Sequence, residues 1–189
     1  MFQTPYNAAP FSRFTATDYL PAIEKAIAES LAQIDSITQN PEPATFKNTI
    51  EVLAYTGLAL DRLTAMFFNL NSAETNDTLQ AEAQRISPLL TDYGNDIRLN
   101  EALFKRIKTV YDQRETLSLT AEQQTLLEKT YKSFTRNGAN LSLNDKARLR
   151  EIDKQLATLK LKFSENALAE TQHYQWVITD KNTLSGLPD

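Results

Sequence analysis

The chain has 189 residues, with 20 Lys and Arg against 24 Asp and Glu, one histidine, four glycines and no cysteine. A chain of this length can bury roughly 70% of the surface that its unfolded form exposes, so one domain with an ordinary hydrophobic core is expected. The missing cysteines exclude thiolate zinc sites and cysteine nucleophiles, and a single histidine cannot complete an ordinary zinc centre. The net charge of -4, without a basic stripe, argues against nucleic acid as a partner.

The sequence predicts no contact with a membrane, because it contains no window of about 18 apolar residues that could form a spanning helix. Residues 1–10 have neither a basic residue nor an apolar run, unlike an intact signal peptide. We therefore expect a cytoplasmic protein by default. A periplasmic or exported protein whose leader had been trimmed would have the same sequence.

The scarcity of glycine and the helical spacing of the apolar residues predict an all-α fold. We expect antiparallel helical hairpins and one long C-terminal helix, with a short terminal β-strand. Within a single domain over 1–189, residues 1–16 are predicted to form an irregular arm and 17–172 the helices. Residues 173–189 are predicted to form a strand and a linker.

The first helix is predicted to begin near Thr17, because Thr17 or Asp18 can cap it. Its apolar stripe comprises Leu20, Ile23, Ile27, Leu31, Ile34 and Ile37. The proline-containing segment 40–43 ends this helix, and so short a connection usually joins antiparallel neighbours. A second helix is predicted from Thr45 to Leu70, with Gly57 as its weak point, followed by a loop over 71–76.

Capping residues mark the next three helices. The third is predicted to begin near Asn76 and to bend at Pro88, since proline removes a helical hydrogen bond. Asn100 is the predicted cap of the fourth helix, and Thr120 with Gln123 has the spacing of a capping box for the fifth.

The end of the fifth helix is predicted at Gly138, in the left-handed conformation of a C-cap. Ser142 and Asp145 then form a looser capping box for a sixth helix that runs to about Thr171 and that we expect to reach beyond this domain. Its apolar residues are Leu149, Ile152, Leu156, Leu159 and Phe163. The aromatic and β-branched segment 174–179 has the composition of a strand, whose partners we expect outside this sequence.

Few residues suggest chemistry. Glu170 and His173 have the E-x-x-H spacing of di-iron bundles, but such a site needs the motif twice. His173 is therefore expected to be a solvated residue or one that supports a neighbouring side chain. A metal-free hydrolase would have to use His173 and would lose all activity on His173→Ala, so an unchanged rate would eliminate that alternative.

Pairs of carboxylates also occur on single predicted helices. Glu24 with Glu29 and Asp92 with Asp96 are expected to mark solvated helix faces rather than an acid and base pair. The apolar cluster over 66–70 has two interpretations, as core packing or as a surface that docks another domain.

Several blocks, in register along the chain, resemble the N-terminal helical region of the thimet oligopeptidase, oligopeptidase A and peptidyl-dipeptidase family. They are Asn40–Ile50, Phe67–Leu70 followed by Ser72–Asp77, Leu99–Asn100 with Leu103–Phe104, Phe134 with Arg136 and Gly138–Leu141, and Leu184–Pro188. The resemblance covers Pro5 to Asp189. The opening Pro5-Tyr6 and Pro10-Phe11 looks more like the bacterial peptidyl-dipeptidase branch.

The resemblance implies a longer, mostly helical, zinc-dependent parent that cleaves short peptides inside a deep channel. The family's H-E-x-x-H helix lies in a C-terminal half that this sequence lacks. We therefore expect no catalytic, cofactor-binding or metal-binding residue here, with zinc only in the parent. The chain would form part of the channel wall, with the parent's own catalytic domain and short peptides as partners. The alternative is a free-standing helical module whose sixth helix and 66–70 patch dock a protein.

Overall fold

The computed structural model describes residues 4–186, except for the side chains of Asn7 and Lys181. The described chain is helical and confirms the predicted all-α class. Its α-helices are α1 (Tyr19–Thr38), α2 (Val52–Ala54), α3 (Leu58–Ala73), α4 (Asp77–Arg98), α5 (Glu101–Asp112), α6 (Ala121–Arg136) and α7 (Leu143–His173). A π-helical segment, Phe46–Glu51, precedes α2. Short 3₁₀ turns are found at Pro5–Asn7, Phe11–Arg13, Ala16–Asp18, Arg114–Thr116 and Lys181–Leu184.

The first helix begins close to its predicted start. A 3₁₀ turn over Ala16–Asp18 leads into α1 at Tyr19. The Asp18 carboxylate accepts hydrogen bonds from the Thr15 backbone N–H at 2.8 Å and from the Thr15 hydroxyl at 2.7 Å. The Asp18 side chain thus bonds to Thr15, the residue that precedes the 3₁₀ turn, and not to the backbone N–H groups of α1.

The second predicted helix is wrong as a continuous element. The structure replaces it with the π-helical segment Phe46–Glu51, the single turn α2 and, after Gly57, the separate helix α3. Gly57 has φ +80°, a left-handed conformation that cannot continue a right-handed helix, and its N–H donates to Gln33 Oε1 at 3.2 Å. The helix α3 also continues to Ala73, so the loop predicted from residue 71 starts later.

Most of the predicted caps are confirmed. Asn76 and Asn100 accept hydrogen bonds from the backbone N–H three residues further on, at 3.0 and 2.9 Å. Thr120 and Gln123 form the reciprocal capping box at 3.3 and 3.0 Å. Gly138 has φ +94°, as its predicted C-cap role requires.

The core of the unit Met1–Thr158 has two regions. One lies between the N-terminal half of α1, α3 and α4, and includes Tyr19, Ile23, Leu60, Phe67 and Ile86. The other lies between the C-terminal half of α1, the π-helical segment, α5 and α6. Its buried members are Ile34, Ile37, Phe46, Ile50, Leu103, Phe104, Ile107, Val110, Leu127, Phe134 and Ala139.

The predicted strand over 174–179 is wrong. These residues have no regular secondary structure, and no β-strand is found anywhere in residues 4–186. A strand needs a hydrogen-bonding neighbour, and the described chain offers no extended segment that pairs with this one. The last residues of the predicted linker, 187–189, lie outside the described residues.

The chain divides into two compact units, Met1–Thr158 and Leu159–Asp189. The helix α4 extends on both sides of Pro88.

Among the helices formed by the described residues, none combines the length and apolar character needed to cross a membrane.

Candidate functional site

The predicted E-x-x-H pair does not form a site. Glu170 and His173 are both exposed, and His173 is the last residue of α7. The backbone oxygen of Glu170 accepts a hydrogen bond from the Tyr174 N–H at 3.1 Å, which closes the last helical turn. Within the described residues, no three side chains of the metal-binding types come together.

The two predicted carboxylate pairs have different surroundings. Glu24 and Glu29 are exposed, and Glu29 forms an ion pair with its neighbour on α1, Lys25, at 3.9 Å. In contrast, Asp92 and Asp96 both contact cations of α7, so this solvated face, 43% and 46% exposed at the two carboxylates, also carries ion pairs between helices.

These contacts belong to a series that we call the ionic ladder. Its three ion pairs join α4 and α5 to the N-terminal half of α7. The residue numbers of the acids rise along the series while those of the cations fall. The pairs are Asp92–Lys154 at 3.2 Å, Asp96–Arg150 at 2.8 Å and Glu101–Lys146 at 3.0 Å.

The ladder turns one face of the N-terminal half of α7 towards α4 and α5, and it contributes little to the stability of the fold. Asp92, Asp96 and their partners are one third to one half exposed, and such pairs contribute about 0–1 kcal/mol each. Lys146 differs because its side chain is only 8% exposed, and it is the one described residue of α7 that counts as buried. Since each cation contacts a fixed partner, the face of α7 that bears them is turned towards α4 and α5.

Two apolar residues of this half of α7 face the other way, whereas a third, Leu149, is half-buried. Ile152 and Leu156 are 41% and 45% exposed. At about 100° per residue, they lie on the opposite half of the helix from Arg150, the middle cation of the ladder. This first half of α7 therefore has a charged inner face, and its outer side carries two exposed apolar residues, Ile152 and Leu156, beside the polar Arg148 and Gln155.

The unit Leu159–Asp189, described by itself, also exposes large apolar side chains. Phe163 is 75% exposed and Trp176 is 78% exposed. The others are Leu159, Leu168, Tyr174, Val177, Ile178 and Leu184. Exposed apolar groups at this density are typical of surfaces that bind another protein segment.

The apolar cluster over 66–70 is mostly core. Met66 and Phe67 are buried, and the Phe67 ring packs against Tyr19 with centroids 5.3 Å apart and against Phe68 at 5.1 Å. The docking interpretation of this patch is therefore wrong for Met66 and Phe67, whereas Phe68 is half-buried.

The ionic ladder is the feature that the sequence analysis missed. A signal was present, because Lys146, Arg150 and Lys154 recur every four residues on one helix face and Asp92 and Asp96 have the same spacing. Matching the two patterns requires the knowledge that α4 and α7 are neighbours, which the sequence does not supply.

The chain is similar to bacterial peptidases, although no protein-family model matches it. It is 35% identical over 183 residues to the dipeptidyl carboxypeptidase of Salmonella typhimurium and 35% identical over 185 residues to that of Escherichia coli. It is 25% identical over 186 residues to oligopeptidase A of Escherichia coli. These matches cover 97–98% of the chain but only 27% of each relative, so the chain spans about a quarter of their length.

The higher identity to the dipeptidyl carboxypeptidases agrees with the predicted likeness to the peptidyl-dipeptidase branch. Over nearly its whole length the chain is therefore similar to the N-terminal part of dipeptidyl carboxypeptidase and oligopeptidase A.

Proposed function

We propose that this chain is the non-catalytic N-terminal domain of a zinc-dependent oligopeptidase or peptidyl-dipeptidase, which we call the parent. The parent hydrolyses short peptides, and this domain forms part of the wall of its substrate channel. The zinc ion and the catalytic residues belong to the remainder of the parent, and none of them lies in this chain.

One observation carries this proposal, namely the two exposed apolar residues on the outer side of α7, Ile152 and Leu156. Burying a side chain such as Leu or Ile is worth about 1.5–3 kcal/mol relative to leaving it exposed, so exposed apolar residues are a cost unless a partner covers them. Ile152 and Leu156 remain 41% and 45% exposed, while the ionic ladder turns the charged face of the helix inwards.

The parent's own remainder is the occupant to which we assign this face. The relatives extend well beyond the matched 27% of their length, so a family member contains ample chain to cover Ile152 and Leu156. The exposed apolar residues of 159–186 would be covered in the same way.

The first test reads the coding sequence downstream of Asp189 for H-E-x-x-H and measures zinc content and peptide hydrolysis of the intact product. We expect the motif, one zinc ion per chain and hydrolysis of short peptides, because the motif histidines hold zinc and its glutamate acts as general base. An open reading frame that ended near Asp189 would contradict the proposal and favour a free-standing interaction module. Stoichiometric zinc binding or peptide hydrolysis by the isolated chain would also contradict it.

The second test examines the docking face. The chain and the remainder of the parent are produced as two polypeptides and purified through a tag on one of them. Leu156→Asp should abolish co-purification, whereas Leu58→Asp, at a residue of α3 with nearly equal exposure of 42%, should not. Equal retention of both variants would show that the face of α7 is not the docking surface.

A further inference from the structure

The segment 174–179, which follows α7, has a backbone that pairs with nothing in this chain. The segment contains no helix, turn or bend, and all of its side chains are exposed. The backbone N–H and C=O groups of residues 175–179 form no hydrogen bond with any residue that the structure describes. The main-chain groups of these consecutive residues are therefore available to a neighbouring strand.

The composition and length of this segment are those of a strand. Most of its residues are aromatic or β-branched, the types that are enriched in strands, namely Tyr174, Trp176, Val177, Ile178 and Thr179. Both of its ends are fixed by local structure. The helix α7 ends at His173, and Asp180 Oδ1 accepts a hydrogen bond from the Asn182 N–H at 2.9 Å, which starts the following 3₁₀ turn. A length of about six residues is typical of strands.

The side chains of the segment alternate in character. Successive side chains of a strand point to opposite faces, so Tyr174, Trp176 and Ile178 share one face of such a strand. These three residues are 75%, 78% and 42% exposed in this chain. The opposite face carries Val177 between two polar residues. One apolar face and one mainly polar face are typical of a strand in an antiparallel sheet that packs on a core with one side.

A helix does not account for this pattern. Residues two positions apart lie about 200° apart around a helix, so Trp176 would be on the opposite side from Tyr174 and Ile178. Only a strand places all three on one face. A strand by itself gains no hydrogen bonds between strands, which explains why the segment has no regular structure in this chain.

We propose that residues 174–179 add as a strand to the edge of a β-sheet in the remainder of the parent, with Trp176 and Ile178 turned towards the core on which that sheet packs. In this mode of binding, main-chain hydrogen bonds join the strands and alternate side chains provide the specificity. The inference rests on the proposed function and names the kind of structure that covers this segment. The described residues 4–186 contain no β-strand that could serve as the edge. The relatives contain ample further chain, since the match covers only 27% of their length.

The experiment compares hydrogen exchange of single backbone amides in the intact parent and in the 189-residue chain, by mass spectrometry with fragmentation at each residue. Successive N–H groups of a strand point in opposite directions, so an edge strand bonds to its one neighbour through every second amide. In the parent, we expect every second amide of residues 175–179 to exchange at least about tenfold more slowly than in the chain alone. The amides between them should exchange rapidly in both proteins.

Two substitutions in the parent test which face is buried. Ile178→Thr and Val177→Thr both keep a β-branched side chain, so the strand propensity is preserved. Ile178→Thr places a hydroxyl group on the face assigned to the core and should accelerate exchange of the protected amides at least about tenfold. Val177→Thr changes the opposite face and should alter exchange by no more than about twofold.

Three results would overturn strand addition. They are rapid exchange at all of residues 175–179 in the parent, slow exchange at consecutive residues, as in a helix, and equal effects of the two variants. Alternate protection in the chain alone would also overturn it, because the partner strand would then come from a second copy. Zinc content and peptide hydrolysis of the parent decide the proposed function separately. A zinc-containing, active parent whose segment 175–179 exchanges rapidly would refute strand addition and leave the proposed function intact.

Discussion

The Ser30 and Tyr93 hydroxyl groups lie 2.6 Å apart and join α1 to α4 across 63 positions of sequence. The contact lies directly against Gly57. A β-carbon added to Gly57 would be 2.9 Å from the Tyr93 hydroxyl oxygen and 3.1 Å from Ser30 Oγ. The break between α2 and α3 therefore needs glycine for two reasons, the left-handed φ and the lack of space.

Gly57→Ala should accordingly destabilise the chain. The left-handed conformation costs an L-residue about 1–2 kcal/mol, and displacement of the hydrogen-bonded pair adds to this cost. We expect a loss of at least about 2 kcal/mol in the free energy of unfolding, measured with urea. Gly94→Ala is the control, since Gly94 is helical and its β-carbon would meet the Arg98 side chain at an ordinary 3.4 Å. This variant should gain up to about 1 kcal/mol, and a loss as large as that of Gly57→Ala would refute the explanation.

The middle ion pair of the ladder should show a small, salt-dependent coupling. In a double-mutant cycle with Asp96→Ala and Arg150→Ala, we expect a coupling free energy of about 0.5 kcal/mol at low salt that decreases at 1 M salt. The same cycle on Lys25 and Glu29, whose charged atoms are 3.9 Å apart, should give a value near zero. A larger coupling free energy for Lys25 and Glu29 than for Asp96 and Arg150 would contradict the assignment of the ladder as a contact between helices.

Lys146 and Glu101 should respond differently to substitution, because only the lysine is buried. Glu101→Ala leaves the ammonium group without its partner and should cost about 1–2 kcal/mol. Lys146→Met removes the buried charge while filling the same space, and it should be neutral or stabilising. Thermal unfolding of both variants and the wild type provides the comparison, and a Lys146→Met variant less stable than Glu101→Ala would contradict the prediction.

The titration of Asp18 should depend on Thr15. The pKa of Asp18 is lowered in the folded state, so its contribution to stability is present above the unfolded pKa and is lost as the pH falls through the folded pKa. Thr15→Ala removes the hydroxyl donor but keeps the backbone N–H, and it should therefore raise the pKa of Asp18 only part of the way. The control is Thr17→Ala, because the Thr17 hydroxyl contacts Thr15 at 3.2 Å rather than Asp18. Carboxyl NMR titration measures the pKa of Asp18 in both variants. An unchanged pKa of Asp18 in Thr15→Ala would show that the Thr15 hydroxyl does not lower it.

Two phenylalanines should differ in their importance for the stability of this chain. Phe67 is completely buried, so Phe67→Ala should cost about 3–5 kcal/mol. Phe163 is 75% exposed, and Phe163→Ala should change the free energy of unfolding by no more than about 0.5 kcal/mol. A large loss for Phe163→Ala would mean that this residue belongs to a core of the isolated chain rather than to a surface awaiting a partner.

Local chemistry was predictable from the sequence. Asn76, Asn100 and Thr120 cap their helices as expected, because an N-cap bonds to a backbone N–H within the next turn. The C-cap at Gly138 has the same local origin, a left-handed φ that glycine adopts without strain. The order of short residue blocks likewise pointed to the peptidases to which the chain is similar.

Only the tertiary structure decided which faces and charges meet. Asp92 and Asp96 look like a solvated pair until α7 brings Lys154 and Arg150 against them. The same ion pairs decide that Ile152 and Leu156 lie on the outer side of α7. Sequence periodicity shows that apolar residues share one side of a helix, but it does not show what that side faces. The segment 174–179 shows the opposite case, because a strand-like composition forms no strand without a neighbour to complete its hydrogen bonds. The sequence alone determined most helix caps, through bonds within one turn, but it did not determine the separation of α2 from α3, and the candidate surface depended on contacts between residues more than 40 positions apart.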